Sequence, residues 1–301
     1  MARVAYVMND IMDKLGLSGR AFIPMVLGFG CTVPAIMASR TLESKKDRER
    51  VMLITPFMSC SAKLPVYILF SGMFFGKYAM FAAYSMYIIG ILIALLVAWI
   101  LHKIDKEENT NPLLIELPMY KMPSAYTVYI YVWGKKLKIF LTKAGTTIFI
   151  ASIVIWILMH IGTSGYTVDV SESLAAMLGN ILVPIMAPVG LGFWQICVAL
   201  VAGISAKEVV VSSTAVLFGV ANINSAHGMS SLMTSLSALG FTSLNAFCLM
   251  LFCLLYIPCI GSLATIKKES SFRFTIKMIV FELVVAWLVA FVVYQLGSLI
   301  L

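Results

Sequence analysis

Charged residues are scarce in this chain. Of its 301 residues, 12% are Asp, Glu, Lys or Arg and 61% are hydrophobic. Soluble domains carry about 25% charged and ~45–50% apolar residues, so this composition excludes an ordinary soluble domain. Several runs of about 20 apolar residues are long enough to cross a bilayer as helices, in which every backbone group is bonded internally. The sequence therefore predicts an all-α, polytopic membrane protein in contact with the lipid bilayer.

The signatures of several enzyme classes are also missing. The chain contains no GxxxxGK[ST], HExxH or GxSxG, which argues against Walker-type nucleotide binding, a zinc protease and a serine hydrolase. We expect no enzymatic activity. The net charge is +8, but the basic residues fall in short clusters at 40–50, 135–143 and 267–277. Such clusters mark cytoplasmic loops rather than a nucleic-acid surface.

Polar interruptions divide the chain into candidate spans. Two polar loops are predicted, 102–138 and the Ser-rich segment 221–242, together with a short apolar helix at 174–190. Either 174–190 crosses the membrane or 191–220 returns as a broken hairpin, because otherwise the basic cluster 267–277 would lie outside. A Lys and a Glu inside 191–220 favour the hairpin. The predicted single spans are 51–75, 79–101, 140–161, 243–266 and 277–301.

Four motifs combine a helix breaker with a polar or thiol side chain. Gly or Pro inside a membrane helix frees backbone groups that must find partners in protein, water or an ion. Two of the motifs contain Ser-Ala-Lys, which suggests paired repeats with discontinuous helices. The four motifs are GFGCTVP at 28–34, PFMSCSAKLP at 56–65, GISAKE at 203–208 and YIPCIGSLATIKKE at 256–269.

The side chains of these motifs suit a transition metal. Fe²⁺ accepts both soft thiolates and harder oxygen ligands, although close helix packing would also explain the small residues. Lys63 could snorkel to the headgroups or be buried, and Cys197, Cys248 and Cys253 are interpreted as small core hydrophobes. The candidate metal ligands are Cys31, Cys60, Cys259, Ser59, Ser61 and Glu208, and the further polar candidates are Lys63, Ser205 and Lys207.

The longest motif-bearing stretch, GFGCTVPAIMASRTLESKKDRERVMLITPFMSCSAKLPVYILF, resembles the first Gate region of the ferrous iron transport protein B family (FeoB). AGISAKEVVVSSTAVLFG resembles the second Gate helix, and LLYIPCIGSLATIKKE and ELPMYKMP resemble two further family motifs. The resemblance implies a first Gate region with following spans at 1–101, a cytoplasmic loop at 102–138, and a second Gate region with the last spans at 139–301. It also maps the family's proposed metal-handling cysteines onto Cys31, Cys60 and Cys259.

The resemblance implies a permease portion of an Fe²⁺ uptake transporter in the bacterial inner membrane. Fe²⁺ would be the transported ion, with no permanently bound cofactor. Family members begin with a GTPase domain that this chain is expected to lack, so we expect a GTPase-bearing half that is either supplied in trans or missing. A homo-oligomer is a further possible assembly. Two alternatives are a Gate-type organic-solute carrier, such as a nucleoside permease, and a non-transporting regulatory membrane subunit.

Overall fold

A computed structural model describes residues 7–42, 44–104, 122, 124–130, 149–150, 153, 156–158, 160–162, 165–166, 172–220, 223 and 225–300. Most of the predicted loop 102–138, most of the predicted span 140–161 and most of the ELPMYKMP motif lie outside these residues. The predicted all-α fold is confirmed. The strands of the described part are Ile161–Gly162 (β1) and Gly165–Tyr166 (β2), which pair antiparallel.

The first half is a series of short helices followed by one long helix. Short 3₁₀ turns connect several of them, at Ser39–Thr41, Thr55–Phe57, Ser61–Lys63 and Gly76–Tyr78. The helices are α1 (Asn9–Asp13), α2 (Phe22–Gly28), α3 (Thr32–Ala38), α4 (Lys45–Ile54), α5 (Leu64–Phe75), α6 (Ala79–Ile104) and α7 (Ala125–Tyr129).

The second half repeats this use of short helices before a long one. A 3₁₀ turn at Ala187–Val189 extends the first of them. The helices are α8 (Leu174–Met186), α9 (Trp194–Ala202), α10 (Val209–Leu217), α11 (Ala226–Ala238), α12 (Ser243–Leu255), α13 (Ile260–Glu269) and α14 (Phe272–Ile300).

Three helical stretches of the described chain are long and apolar enough to cross a membrane. They are Lys45–Ile104, which is interrupted inside, Ser243–Glu269 and Phe272–Leu299. A fourth candidate is the pair Leu174–Val189 and Trp194–Ala202, which is bent by 104°. Length and composition thus support three spans, or four if the bent pair is one span.

Helix α12 forms the centre of the core. Nearly every residue from Asn245 to Leu255 is buried, and the helix packs against α5, α6 and α14. An apolar surface on all sides is typical of a helix enclosed by others. Cys248 and Cys253 lie in this core, and Cys197 is buried in α9, so the interpretation of these three residues as small core hydrophobes is supported.

One sequence-based assignment is wrong. The segment 221–242 was predicted as a loop, but it contains α11, whose first turn is capped by Ser225 accepting a hydrogen bond from the Gly228 amide at 3.0 Å. Hydroxyls inside α11 bond back to the preceding turn, as Thr234 does to the Ser230 carbonyl at 2.9 Å, so its Ser-rich sequence is compatible with a helix. The predicted span 51–75 lies in the candidate span Lys45–Ile104 and is interrupted between α4 and α5, at the helix-breaking motif it contains.

Candidate functional site

All four predicted motifs interrupt a helix. The first separates α2 from α3 and the second separates α4 from α5, while the third lies between α9 and α10 and the fourth between α12 and α13. The break at 203–208 fits the predicted broken hairpin, since α9 and α10 pack against each other. These four interruptions are called breaks 1 to 4 below, in chain order.

Breaks 1 and 2 are joined through Ser61. Its backbone amide donates to the Gly30 carbonyl at 3.2 Å, and its hydroxyl donates to the same oxygen at 2.8 Å. A Cβ on Gly28 would lie 3.1 Å from the Met58 Cβ. The glycines of break 1 therefore allow the second motif to approach the backbone closely, and the freed carbonyl finds its partner there.

Breaks 3 and 4 are joined in a similar way. The Ile260 amide, at the start of α13, donates to the Ile204 carbonyl at 2.9 Å. The fourth break also meets the first, because α13 packs against α3. A Cβ on Gly261 would lie 3.5 Å from a methyl group of Val33. The four breaks thus converge on one region, although up to about 230 residues separate them along the chain.

Lys63 connects break 2 to break 4. Its side chain is 3% exposed, which supports the buried alternative rather than snorkelling. The ammonium donates to the carbonyls of Pro56 at 2.8 Å, Met58 at 3.0 Å and Leu254 at 2.7 Å. A cation at the carboxyl end of a helix satisfies its unpaired carbonyls and complements its dipole. Lys63 therefore caps α12 as well as its own loop.

Lys207 makes the corresponding contacts from break 3. It is buried, and its ammonium donates to the Ile257 carbonyl at 2.5 Å and to the Tyr256 carbonyl at 3.4 Å. The same ammonium lies 3.2 Å from the centroid of the Tyr256 ring, a cation–π arrangement. The two Ser-Ala-Lys sequences thus place their lysines on the same carboxyl end of α12, which is the freed backbone just before Cys259.

The three candidate cysteines each occupy an extended position directly before a helical turn. Cys31 precedes α3, Cys60 precedes the turn Ser61–Lys63, and Cys259 precedes α13. Cys60 is buried, whereas the other two are half-buried. Ser61 is bonded to the Gly30 carbonyl and α13 packs against α3, so the three cysteines lie at breaks that contact one another.

The candidate hydroxyls are already hydrogen-bonded within the protein. Ser59 is buried and donates to the Tyr67 hydroxyl at 3.1 Å, and Ser205 is buried and donates to the Ala202 carbonyl at 2.7 Å. The hydroxyl of Ser262, which was not predicted, lies 3.3 Å from the Cys259 sulfur. Among the described residues, no group of three or more His, Cys, Asp or Glu side chains is arranged to hold a metal ion.

The structure distinguishes two carboxylates. Glu208 is exposed at the start of α10, whereas neighbouring Lys207 is buried, as expected for adjacent residues on different helix faces. The role of Glu208 as a metal ligand stays a prediction. Sequence reasoning missed Glu282, which is fully buried in α14 and interacts electrostatically with Lys207 and Lys63. A lone carboxylate in an apolar run was the available signal.

An ion pair ties α13 to the end of α3. Arg40 forms a two-pronged contact with the Glu269 carboxylate, with its Nε at 2.5 Å from one oxygen and its Nη2 bonded to the other. The Ser270 hydroxyl lies 3.4 Å from a carboxylate oxygen of Glu49. The short helices α3 and α13 each begin beside a candidate cysteine, and Arg40 and Glu269 join them at or just beyond their opposite ends.

The chain has long apolar helices, several of them interrupted, and the interruptions meet at a buried polar centre. This arrangement identifies a polytopic membrane protein. Residues 1–74 and 141–273 match the family model described as "Gate: Nucleoside recognition", and residues 83–135 match the model described as "Ferrous iron transport protein B C terminus". The chain therefore belongs to the Gate family, and its resemblance to the ferrous iron transport protein B family is confirmed.

Curated relatives agree with this assignment. The "Fe(2+) transporter FeoB" of Staphylococcus aureus (strain MSSA476) is 42% identical over 300 residues, covering 99% of this chain and 44% of the relative. The protein of the same name in Methanocaldococcus jannaschii is 40% identical over 308 residues, covering 100% and 45%. A Porphyromonas gingivalis "Fe(2+) transport protein A/Fe(2+) transporter FeoB fusion protein" is 35% identical over 341 residues, covering 99% and 40%. The chain spans less than half the length of these relatives, and no solved structure matches it.

Proposed function

We propose that this chain is the membrane permease portion of a ferrous iron uptake transporter in the cell inner membrane. The observation that carries the proposal is the convergence of four helix breaks, three of which hold a candidate cysteine directly before a helical turn. The relatives' printed name, Fe(2+) transporter, supports the choice of ion.

Fe²⁺ suits this mixture of groups. The ion accepts thiolate as well as oxygen ligands, so it would exchange its waters for sulfur, hydroxyl and carbonyl groups at the breaks. Cys31 and Cys259 are half-buried and would meet the ion before the buried Cys60. Because the described groups do not form a ready cage, we infer that the thiols close on the ion when α3 and α13 move. Weak, successive sites favour passage over retention.

Energy coupling belongs to a further part of the system in this proposal. The chain spans about 44% of the length of its Staphylococcus aureus relative, and the family resemblance supplies a GTPase-bearing half. We infer that this half acts with the chain, either within a longer protein or in trans. Fe²⁺ uptake at the full rate by the chain alone, without that half, would contradict this inference.

An organic-solute carrier is the second candidate, and it rests on the family model's description, "Nucleoside recognition". A nucleoside site needs polar groups that point at the bases and the ribose. Within the described residues the buried amide is Asn245, and it already bonds to Thr242 and, at 2.5 Å, to the Gly190 carbonyl. The structure therefore favours the ion over the nucleoside.

Uptake into proteoliposomes tests the proposal. The chain, reconstituted with the GTPase-bearing half of a related transporter, is given radioactive Fe²⁺ under reducing conditions. Cys31→Ser and Cys259→Ser should each lower uptake at least about tenfold, the lower end of the losses seen for outer-shell partners of metal sites. Cys248→Ala, a substitution in the buried core about two turns before the end of α12, is the matched control and should retain uptake.

The alternatives give different results in the same assay. Uptake of labelled nucleoside without Fe²⁺ uptake would replace the proposal with the solute carrier. If neither nucleoside nor Fe²⁺ is taken up and the GTPase rate of the partner half changes, the result would favour the regulatory subunit. Unchanged Fe²⁺ uptake in both cysteine variants would remove the thiols from the pathway.

A further inference from the structure

Glu282 is a buried carboxylate that the ion pathway described above does not use. It lies on the inward stripe of α14 with Met278, Ala286 and Ala290, all 0% exposed. Residues on other sides of the same helix, such as Val284, are exposed. The carboxyl therefore faces the protein interior rather than lipid. Neither of its oxygens has a hydrogen-bond partner among the residues that the structure describes.

The charged groups facing Glu282 are the two motif lysines. Lys207 and Lys63 both interact with it electrostatically, but their ammonium groups are bonded to backbone carbonyls instead. From α12 the titratable neighbour of both lysines is the Cys253 thiol. The turn Ala187–Val189, which also packs on α14, contributes no titratable side chain.

Helix α13 also packs against α14, and its ionisable residues are at its carboxyl end. Lys267 and Lys268 are exposed there, and Glu269 is paired with Arg40. Glu282 lies ten residues into α14, about 15 Å along the helix axis from its start. Among the residues that the structure describes, the charged groups that interact with Glu282 are thus Lys207 and Lys63.

An ionised carboxylate without water or hydrogen-bond donors is strongly disfavoured, and a bound proton removes the charge. Ionisable residues within membrane segments commonly serve proton relays. We propose that Glu282 is a proton-binding site, and that exchange of its proton controls how firmly Lys63 and Lys207 hold the carboxyl end of α12.

Two states follow from this arrangement. With the proton bound, Glu282 is neutral and the lysines stay on the carbonyls of Leu254, Tyr256 and Ile257. When the O–H bond breaks and the proton passes to water in the pathway, the carboxylate attracts the ammonium groups away from those oxygens. The released carbonyls lie just before Cys259, where they become available to a cation. This second step rests on the proposed function, whereas proton binding does not.

Infrared spectroscopy tests the proton site without transport. The chain in lipid nanodiscs at neutral pH should show the carbonyl stretch of a protonated carboxyl group. The band should disappear in Glu282→Gln and persist in Glu172→Gln, which changes an exposed carboxylate in the same way. In wild type, labelling with carboxyl-¹³C glutamate should shift the band, which tests the site even if Glu282→Gln does not fold. A missing band in wild type, a band that the label leaves unshifted, or a band that survives in folded Glu282→Gln would overturn the proposal.

Uptake measured over a pH series tests the link to the lysines. Fe²⁺ uptake by wild type and Glu172→Gln should depend on pH, and Glu282→Gln should lose that dependence. If the infrared band behaves as expected but the pH profiles coincide, proton binding stands and its link to cation passage is refuted. If wild type shows no Fe²⁺ uptake at all, the proposed function fails, while the infrared result still decides the proton site.

Discussion

The substitution Lys63→Met removes the ammonium that joins break 2 to break 4 while keeping a long, flexible side chain. Three buried carbonyls, those of Pro56, Met58 and Leu254, would lose their donor together. They lie in a protein core where water does not replace a lost donor, because the Lys63 side chain is 3% exposed. We expect the substitution to destabilise the contact between the two halves.

The size of the effect follows from the number of bonds. A hydrogen bond to a charged group contributes ~1.5–3 kcal/mol, so three give ~4.5–9 kcal/mol before any offset. Methionine avoids the desolvation cost of the buried ammonium, which is several kcal/mol. We therefore expect a net loss of about 3 kcal/mol in the free energy of unfolding. At ~2–4 °C per kcal/mol, this lowers the melting temperature by roughly 6–12 °C.

Thermal unfolding in detergent, followed with a dye that reacts with exposed thiols, measures this shift through the buried cysteines Cys248 and Cys253. Lys77→Met is the matched control, because Lys77 is exposed in the turn Gly76–Tyr78, and its effect should stay within ~0.5 kcal/mol. A Lys63→Met protein that melts with the Lys77→Met control would show that Lys63 does not hold the breaks together.

Two further predictions concern the same framework. Gly203→Ala should destabilise the chain strongly, because a Cβ there would lie 2.5 Å from the Tyr256 hydroxyl oxygen. Gly72→Ala should be tolerated, because no described atom lies within 4 Å of its Cβ. Equal melting temperatures for the two variants would refute the argument that crowding at Gly203 destabilises the fold. Arg40→Gln should lower stability by about 1 kcal/mol or less, since its pair with Glu269 is partly exposed, and should reduce the salt dependence of the melting temperature. If the melting temperature of Arg40→Gln depends on salt as it does in wild type, the pair of Arg40 with Glu269 does not contribute to stability.

The positions of the helix breaks could be predicted from local sequence. Each motif contains Gly or Pro, such as Gly30, Pro56, Gly203 and Pro258. These residues weaken or interrupt a helix, so each interruption could be predicted from its own motif. The family resemblance covers nearly the whole chain, and the family models confirm that resemblance. A helix break whose cause lies in its own motif can thus be predicted from that motif alone.

The partners of the polar side chains could not be predicted in this way. Lys63 binds a carbonyl 191 positions away and Lys207 one 50 positions away, and such pairings depend on how the helices pack. Glu282 was overlooked because its significance comes from the two lysines across the core. Helix α11 was missed because serine is more frequent in loops, although here the hydroxyls bond to the helix's own carbonyls.

In the proposed pathway, sulfur from the helix breaks binds the passing iron. X-ray absorption at the iron edge, on the reconstituted chain loaded anaerobically with Fe²⁺, measures this directly. We expect iron–sulfur scattering that weakens in Cys31→Ser and in Cys259→Ser but not in Cys248→Ala. An iron environment made of oxygen and nitrogen alone, identical in all four proteins, would contradict it.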